Sequence, residues 1–266
     1  MLEITGLQKT FLKGTPNEHH ALQGLDLTLP DGQFVTIIGS NGAGKSTLFN
    51  AIAGTFSCDA GQIALDGRNI TRMPEYRRAR TISRIFQNPL MGTAPNLTIE
   101  ENLALSYARS TKKLFSRAVT RKDTDYFRSL LAPLGMGLED RMKTRIGLLS
   151  GGQRQAVTLL MCTMVPPRLL LLDEHTAALD PVTAEKILKL TAKIVAEHRI
   201  TTMMITHNIK DALQLGDRTI MLEQGRIVLD LSGEQRAQMD VAGLLQLYRR
   251  ESGKELDNDR MLLTGE

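Results

Sequence analysis

The strongest constraint in this 266-residue chain is a short apolar run, Phe34-Val-Thr-Ile-Ile38, that passes directly into Gly39, Ser40, Asn41, Gly42, Ala43, Gly44, Lys45, Ser46 and Thr47 and then into a helix-compatible stretch, Ser46 to Ala53. A buried strand, a glycine-rich loop and a helix start, in that order, make the phosphate-loop pattern. Glycines at 39, 42 and 44 open backbone angles closed to other residues, so successive amide hydrogens can converge on phosphate oxygens. The helix amino terminus adds positive potential. Lys45 supplies a mobile point charge for the outer phosphates of a nucleotide such as ATP, Ser46 a hydroxyl ligand for Mg2+, and Thr47 a neighbouring hydroxyl for phosphate. A glycine turn ahead of a helix is the bland account, and it does not call for glycine, lysine and hydroxyl at these offsets.

The rest of the chain alternates strands and helices. Leu2, Ile4 and Leu7, then Leu22, Leu25, Leu27 and Leu29, alternate with polar residues and predict antiparallel strands joined by a turn over Lys13 to His20. Gly61 to Gly67 predicts a strand ending in an Asp-Gly turn, and Thr81 to Phe86 another strand. Helical stretches follow around Ile99 to Ala108, Asp123 to Leu131 and Gln153 to Met164. Leu169 to Leu172 reads as a buried strand, Pro181 to His198 as a proline-initiated helix, and Thr201 to Thr206 as a further strand. Ile220 to Leu229 suits a closing hairpin, and the tail beyond Gly233 is helical and then polar.

The expected fold is therefore α/β: a P-loop NTPase core with a mainly parallel sheet, an N-terminal antiparallel β subdomain and an inserted α-helical lobe. One domain is expected over 1–266, with the core and β subdomain at 1–87 and 167–233, the helical lobe at 88–166 and a tail at 234–266.

Composition narrows the setting. An apolar fraction of 42% with 23% charged residues is ordinary for a soluble globular chain. No basic-then-apolar leader opens the sequence, and no run approaches the ~20 apolar residues that a membrane span needs. Cys58 and Cys162 lack metal-ligand spacing and read as reduced, packed thiols. Arg72, Arg77, Arg78, Arg80 and Arg84 are expected to form a solvated face rather than a nucleic-acid surface.

A second acidic element completes the chemistry. Asp173 at the end of Leu169-Leu-Leu-Leu can orient the magnesium shell, and Glu174 beside it can act as general base or water-orienting group. Two adjacent acids after a strand could also be a solvated loop; the phosphate loop upstream favours the catalytic reading.

Leu149, Ser150, Gly151, Gly152 and Gln153, followed by Arg154 and Gln155, resemble the signature sequence of the ATP-binding cassette (ABC) family. Ser150 and the amides of Gly151 and Gly152 open a predicted helix, a second phosphate-binding helix end on the same chain. The resemblance implies a head-to-tail homodimer in which the signature of each copy closes on the ATP held by the other. It covers nearly the whole chain. Gln87 resembles the hinge glutamine that touches Mg2+ or water, which with Ser46 and Asp173 gives the implied metal set. Ala177, Ala178, Leu179 and Asp180 resemble the loop that contacts the opposite active site, and His207 the histidine at the γ-phosphate. Phe11 matches the aromatic that stacks on adenine, although an aromatic in an early strand is also ordinary core. His175 departs from the family, which commonly has proline there.

The resemblance further implies an ATPase peripheral to the cytoplasmic face of a membrane, held there by permease subunits on separate chains. The groove around Pro89 to Tyr107 is the expected contact. Asp173 to Pro181 looks like a branch that takes up amino acids, including aromatic ones, alongside a substrate-binding protein or lipoprotein. An exporter subunit, a cassette ATPase acting on ribosomes or nucleic acid, and a nucleotide sensor without turnover are the competing readings.

Overall fold

In a computed structural model of the chain, residues 1–108 and 120–252 are described. In chain order the elements are β1 (Leu2–Phe11), β2 (His19–Leu29), β3 (Phe34–Gly39), α1 (Lys45–Ala53), β4 (Ala60–Leu65), β5 (Arg68–Asn69), α2 (Glu75–Arg78), β6 (Ile82–Ile85) and α3 (Ile99–Ala108). They continue as α4 (Arg121–Leu131), α5 (Gly151–Thr163), β7 (Leu169–Asp173), α6 (Pro181–His198), β8 (Thr201–Ile205), α7 (Ile209–Gln214), β9 (Arg218–Glu223), β10 (Arg226–Ser232), α8 (Gly233–Ala237) and α9 (Val241–Ser252). The α/β class and the antiparallel amino-terminal sheet agree with expectation. The far end of the polar tail, 253–266, lies outside the described residues.

The chain divides into two compact units, Met1–Ala79 with Arg199–Glu266, and Arg80–His198. In the first, an antiparallel sheet runs in the order β2-β1-β4-β5. Leu2 pairs with Leu29 on one side and Leu65 on the other, so the alternating leucines of three strands share one buried face. Asp66 and Gly67 both take positive φ, +50° and +73°, the twist that a two-residue hairpin turn demands. The turn between β1 and β2 is tighter than the sequence suggests, because His19 and His20 already pair with Phe11 and Thr10.

A second set of strands in this unit runs β10-β9-β3-β8, with β3 parallel to both its neighbours and β9–β10 an antiparallel hairpin. All residues of β3 and β8 are buried, which is why they read as unbroken apolar runs. α7 was not anticipated. It is nucleated by Asn208, whose side-chain oxygen accepts from the amides of Lys210 and Asp211 at 2.9 and 3.2 Å.

In the second unit β6 and β7 pair in parallel, Ile82 opposite Leu169 and Ile85 opposite Leu172. A helical core gathers Ile99 and Leu103 of α3, Phe127 and Leu131 of α4, and Val157 and Leu160 of α5. α4 starts at a reciprocal capping box between Thr120 and Asp123, and α5 at one between Ser150 and Gln153. α6 starts at Asp180, which accepts from the amide of Thr183 at 3.0 Å.

His175 is wholly inside this unit, its Nε2 3.2 Å from the Thr191 hydroxyl. That hydroxyl donates to the Ile187 carbonyl at 2.8 Å, so Nε2 carries the proton and donates to Thr191. Burial pushes the imidazole down to about 4. The unfolded chain takes up this proton near pH 6.5 while the folded chain resists it to about pH 4, so stability is lost as pH falls through that window. Folding free energy should drop by about 2 kcal/mol between pH 7 and pH 5 from this group, and His175→Gln should flatten that slope in urea melts at the two pH values.

Candidate functional site

β3 delivers the phosphate loop in the first unit. A Cβ at Gly39 would collide with the carbonyl oxygen of Leu222, and one at Gly44, where φ is +101°, with that of Ala21; both positions therefore need glycine. The Lys45 ammonium is buried and donates to the carbonyls of Gly39 at 2.7 Å and Ser40 at 2.9 Å. Those bonds turn carbonyls inward onto the lysine. Asn41, Gly42 and Ser46 are exposed, Thr47 is half-buried, and Ala43 is buried, its carbonyl accepting from the Gly225 amide at 2.9 Å. α1 has no acidic residue in its first turn, so nothing on the helix itself opposes an anion there.

The other end of α1 corrects one expectation. Arg78 is not part of a solvated basic face: it is buried, donating from Nη1 to the carbonyls of Ala51 and Ile52 at 2.8 Å each, from Nε to Met73 and from Nη2 to Thr71. Its guanidinium closes the carboxyl end of the helix, and desolvation lowers its pKa. Arg72, Arg77 and Arg80 are exposed as expected.

Two further residues of the expected set lie in this unit. His207 is half-buried between β8 and α7, the first residue past Thr206, whose amide donates to the Ile37 carbonyl at 3.1 Å. Phe11, at the end of β1, stands edge-on to Phe56 with ring centroids 5.4 Å apart, and the Lys9 ammonium lies 5.3 Å from its centroid. It is partly exposed and outside the buried core.

The second unit collects the acidic residues. Asp173 ends β7 and is almost buried, accepting from Arg84 Nη2 at 2.6 Å. Arg84 in turn lies over the Phe86 ring at 4.7 Å. This ion pair is the second correction to the solvated basic face, and a contact of an expected site residue that the sequence does not announce. A charged residue inside a strand bounded by Ile82 and Ile85 was the signal available. Glu174 has φ +47°, a left-handed conformation uncommon for a non-glycine residue. Gln87 Nε2 donates to Glu174 Oε2 at 3.0 Å, so these two residues of the expected set are joined.

The signature and the 177–180 loop also meet within this unit. Leu149 is buried, Ser150 and Gly151 are exposed, and the Ser150 hydroxyl oxygen accepts from the Gln153 amide at 3.2 Å. A Cβ at Gly151 would stand 3.3 Å from the Leu179 side chain, and one at Gly152 would collide with Thr183. Gly152 is thus needed for packing on α6. Ala177 donates to the Glu174 carbonyl at 3.0 Å and Leu179 to that of Thr176 at 3.1 Å, while Ala178 is exposed. Asp180, held by Thr183, has its carboxyl below the usual range.

Comparisons with known proteins agree with this architecture. The family described as ABC transporter matches residues 22–177. The chain is 43% identical over 248 residues to a tyrosine transport ATP-binding protein of Clostridioides difficile (strain R20291), covering 93% of this chain and 98% of that one. It is 35% identical over 233 residues to an aliphatic sulfonates import ATP-binding protein of Agrobacterium fabrum, covering 88% and 80%. Among solved structures it resembles a dimeric post-hydrolysis state of an ATP-binding cassette bound to ADP and Pi, with a TM-score of 0.75 and 27% identity over 87% of this chain and 98% of that one. With a phosphate loop, a strand-end carboxylate pair and a capped signature helix in one chain of this fold, the protein belongs to the ABC transporter family as an ATP-binding, ATP-hydrolysing subunit.

Proposed function

We propose that two copies of this chain close on Mg-ATP and power the uptake of an amino acid of the aromatic class through a permease on separate chains. The observation that carries the catalytic part is the Gln87–Glu174 hydrogen bond, with Glu174 held in a left-handed backbone conformation. The cargo rests on the 43% identity to a relative named for tyrosine transport.

Within each copy the amides of Gly39 to Lys45 receive the phosphates, and Lys45 moves from the carbonyls of Gly39 and Ser40 to the outer phosphate oxygens. Phe11 stacks on the adenine from its partly exposed strand end. Glu174 orients the attacking water, its Oε2 fixed by Gln87, and His207 stabilises charge on the γ-phosphoryl group. The exposed helix end at Ser150 and Gly151, with Leu149, Gly152 and Gln153 behind it, closes on the nucleotide of the other copy, and Ala177 to Asp180 lines that junction.

Ser46, Gln87 and Asp173 are oxygen donors suited to Mg2+, and Asp173 already accepts a cationic group from Arg84. When bound, the ion neutralises charge on the β- and γ-phosphates. Arg84 balances the Asp173 carboxylate otherwise.

The permease contact falls on a groove of about 300 Å³ in the second unit, between the 91–94 segment and α3. Met91 and Leu105 on its rim are 69% and 55% exposed. Its floor is stiffened by Asn102, which accepts from the Ala94 amide at 2.8 Å and donates to the Ala94 and Thr98 carbonyls at 3.1 and 2.9 Å. No helix among the described residues is long and apolar enough to cross a membrane, which fits a separate spanning chain.

Glu174→Gln should keep Mg-ATP affinity, lower phosphate release by about 100-fold or more and sediment as a dimer with Mg-ATP. Release at the parental rate would remove Glu174 from the role. Replacing Met91 and Leu105 by aspartate should leave basal ATP hydrolysis unchanged and abolish copurification with the permease. Uptake of labelled tyrosine should be lost from cells carrying Glu174→Gln in place of the parent chain, and unchanged tyrosine uptake beside loss of another solute would reassign the cargo.

A further inference from the structure

The last described helix, α9, is tied to the phosphate loop through a buried carboxylate. Tyr248 and Leu244 of α9 are fully buried against Ile38, the residue before Gly39, and against Ile209 at the start of α7. Packing alone would be met by phenylalanine, but a tyrosine at this depth needs a partner for its hydroxyl. The Tyr248 hydroxyl donates to Glu223 Oε2 at 3.0 Å. The same oxygen accepts from the Ser40 hydroxyl at 2.6 Å.

Glu223 ends β9 and is 8% exposed, so its carboxylate depends on donors brought to it. One of these comes from the loop and one from α9. The hairpin that follows Glu223 holds the loop a second time, through the Gly225 amide on the Ala43 carbonyl. Ser40 also accepts Lys45 Nζ on its own carbonyl, so its placement bears on the lysine that is to reach phosphate. Tyr248, Glu223, Ser40 and Lys45 thus form one chain of hydrogen bonds from the carboxyl-terminal helix to the loop.

We infer that Tyr248, acting through Glu223, is a positioning residue for the phosphate loop, and that α9 thereby sets nucleotide affinity. The inference rests on the assignment of Gly39 to Thr47 as the nucleotide loop. It gives the helical part of the tail a role in the binding step, with little effect on the chemical step, because neither Tyr248 nor Glu223 is among the groups assigned to the reacting phosphate.

The test uses the full chain, with Mg-ADP titration calorimetry for affinity and steady-state Mg-ATP hydrolysis for KM and kcat. Tyr248→Phe should raise the Mg-ADP Kd and the Mg-ATP KM together by roughly three- to tenfold, the loss of about one hydrogen bond, with kcat within about twofold of the parent. Ser40→Ala should raise the Mg-ADP Kd by a similar factor, and in Kd the double variant should be no weaker than the weaker single one. If Tyr248 only packs, Tyr248→Phe leaves Kd unchanged whatever happens to Tm, and an additive double variant likewise overturns the coupling. Should Tyr248→Phe not fold, the cycle of Glu223→Gln with Ser40→Ala reads the same link: non-additivity in Kd supports it and additivity overturns it. Lys45→Ala separates the underlying assignment, since undiminished nucleotide binding by that variant would mean that the loop itself had been misread.

Discussion

The nucleotide chemistry proposed for this protein depends on keeping one stretch of backbone, Gly39 to Lys45, curved so that its amides stay available to an anion. That curve is unfavourable for an ordinary peptide and is held from several sides. Lys45 bonds two loop carbonyls, the absence of Cβ atoms at Gly39 and Gly44 lets β9 and β2 approach, and Ser40 and Ala43 are fastened to the β9–β10 hairpin. Buried parallel strands are rigid enough to serve as the frame for such a loop. Arg78 completes the arrangement by capping the far end of α1, so the helix that carries Lys45 is fixed at both termini.

The second unit solves a different electrostatic problem. It places two carboxylates at successive positions at the end of β7. Each is given its own donor: Asp173 receives the Arg84 guanidinium and Glu174 the Gln87 amide. Glu174 takes a left-handed φ of +47°, and the loop that follows is secured to its carbonyl by the Ala177 amide. His175 contributes by being buried and neutral on Thr191, a polar anchor where the family commonly has a stiff proline. In the same unit Gly151 lets α5 approach Leu179 of the 177–180 loop and Gly152 lets it approach Thr183 of α6.

Much of the fold was legible from pattern. The helices over Ile99 to Ala108 and Pro181 to His198 appear with the expected bounds, and the buried strands at 34, 169 and 201 lie within a residue or two of theirs. These segments carry strong local signals: a continuous apolar run, a proline at a helix start, a glycine loop with a lysine. α7 is only six residues long and depends on the Asn208 cap, and the β1–β2 turn depends on cross-strand pairing of two histidines. Neither leaves a periodicity long enough to detect. The arginines between 72 and 84 show the same limit from the charge side, since a cation count cannot separate Arg77, which is exposed, from Arg78, which is buried under four carbonyls.

The amino-acid order alone determined the nucleotide chemistry, because phosphate binding needs glycines, a lysine and a hydroxyl at fixed neighbouring positions, and neighbours in sequence remain neighbours in space. It also determined which segments are buried strands and which are amphipathic helices. Tertiary structure decided the partners: Arg84 on Asp173 across 89 positions, Gln87 on Glu174 across 87, and Glu223 between Ser40 and Tyr248. Such pairings are made by strand order and helix packing, and a hydrogen bond between residues far apart in sequence leaves no local trace from which it could be read.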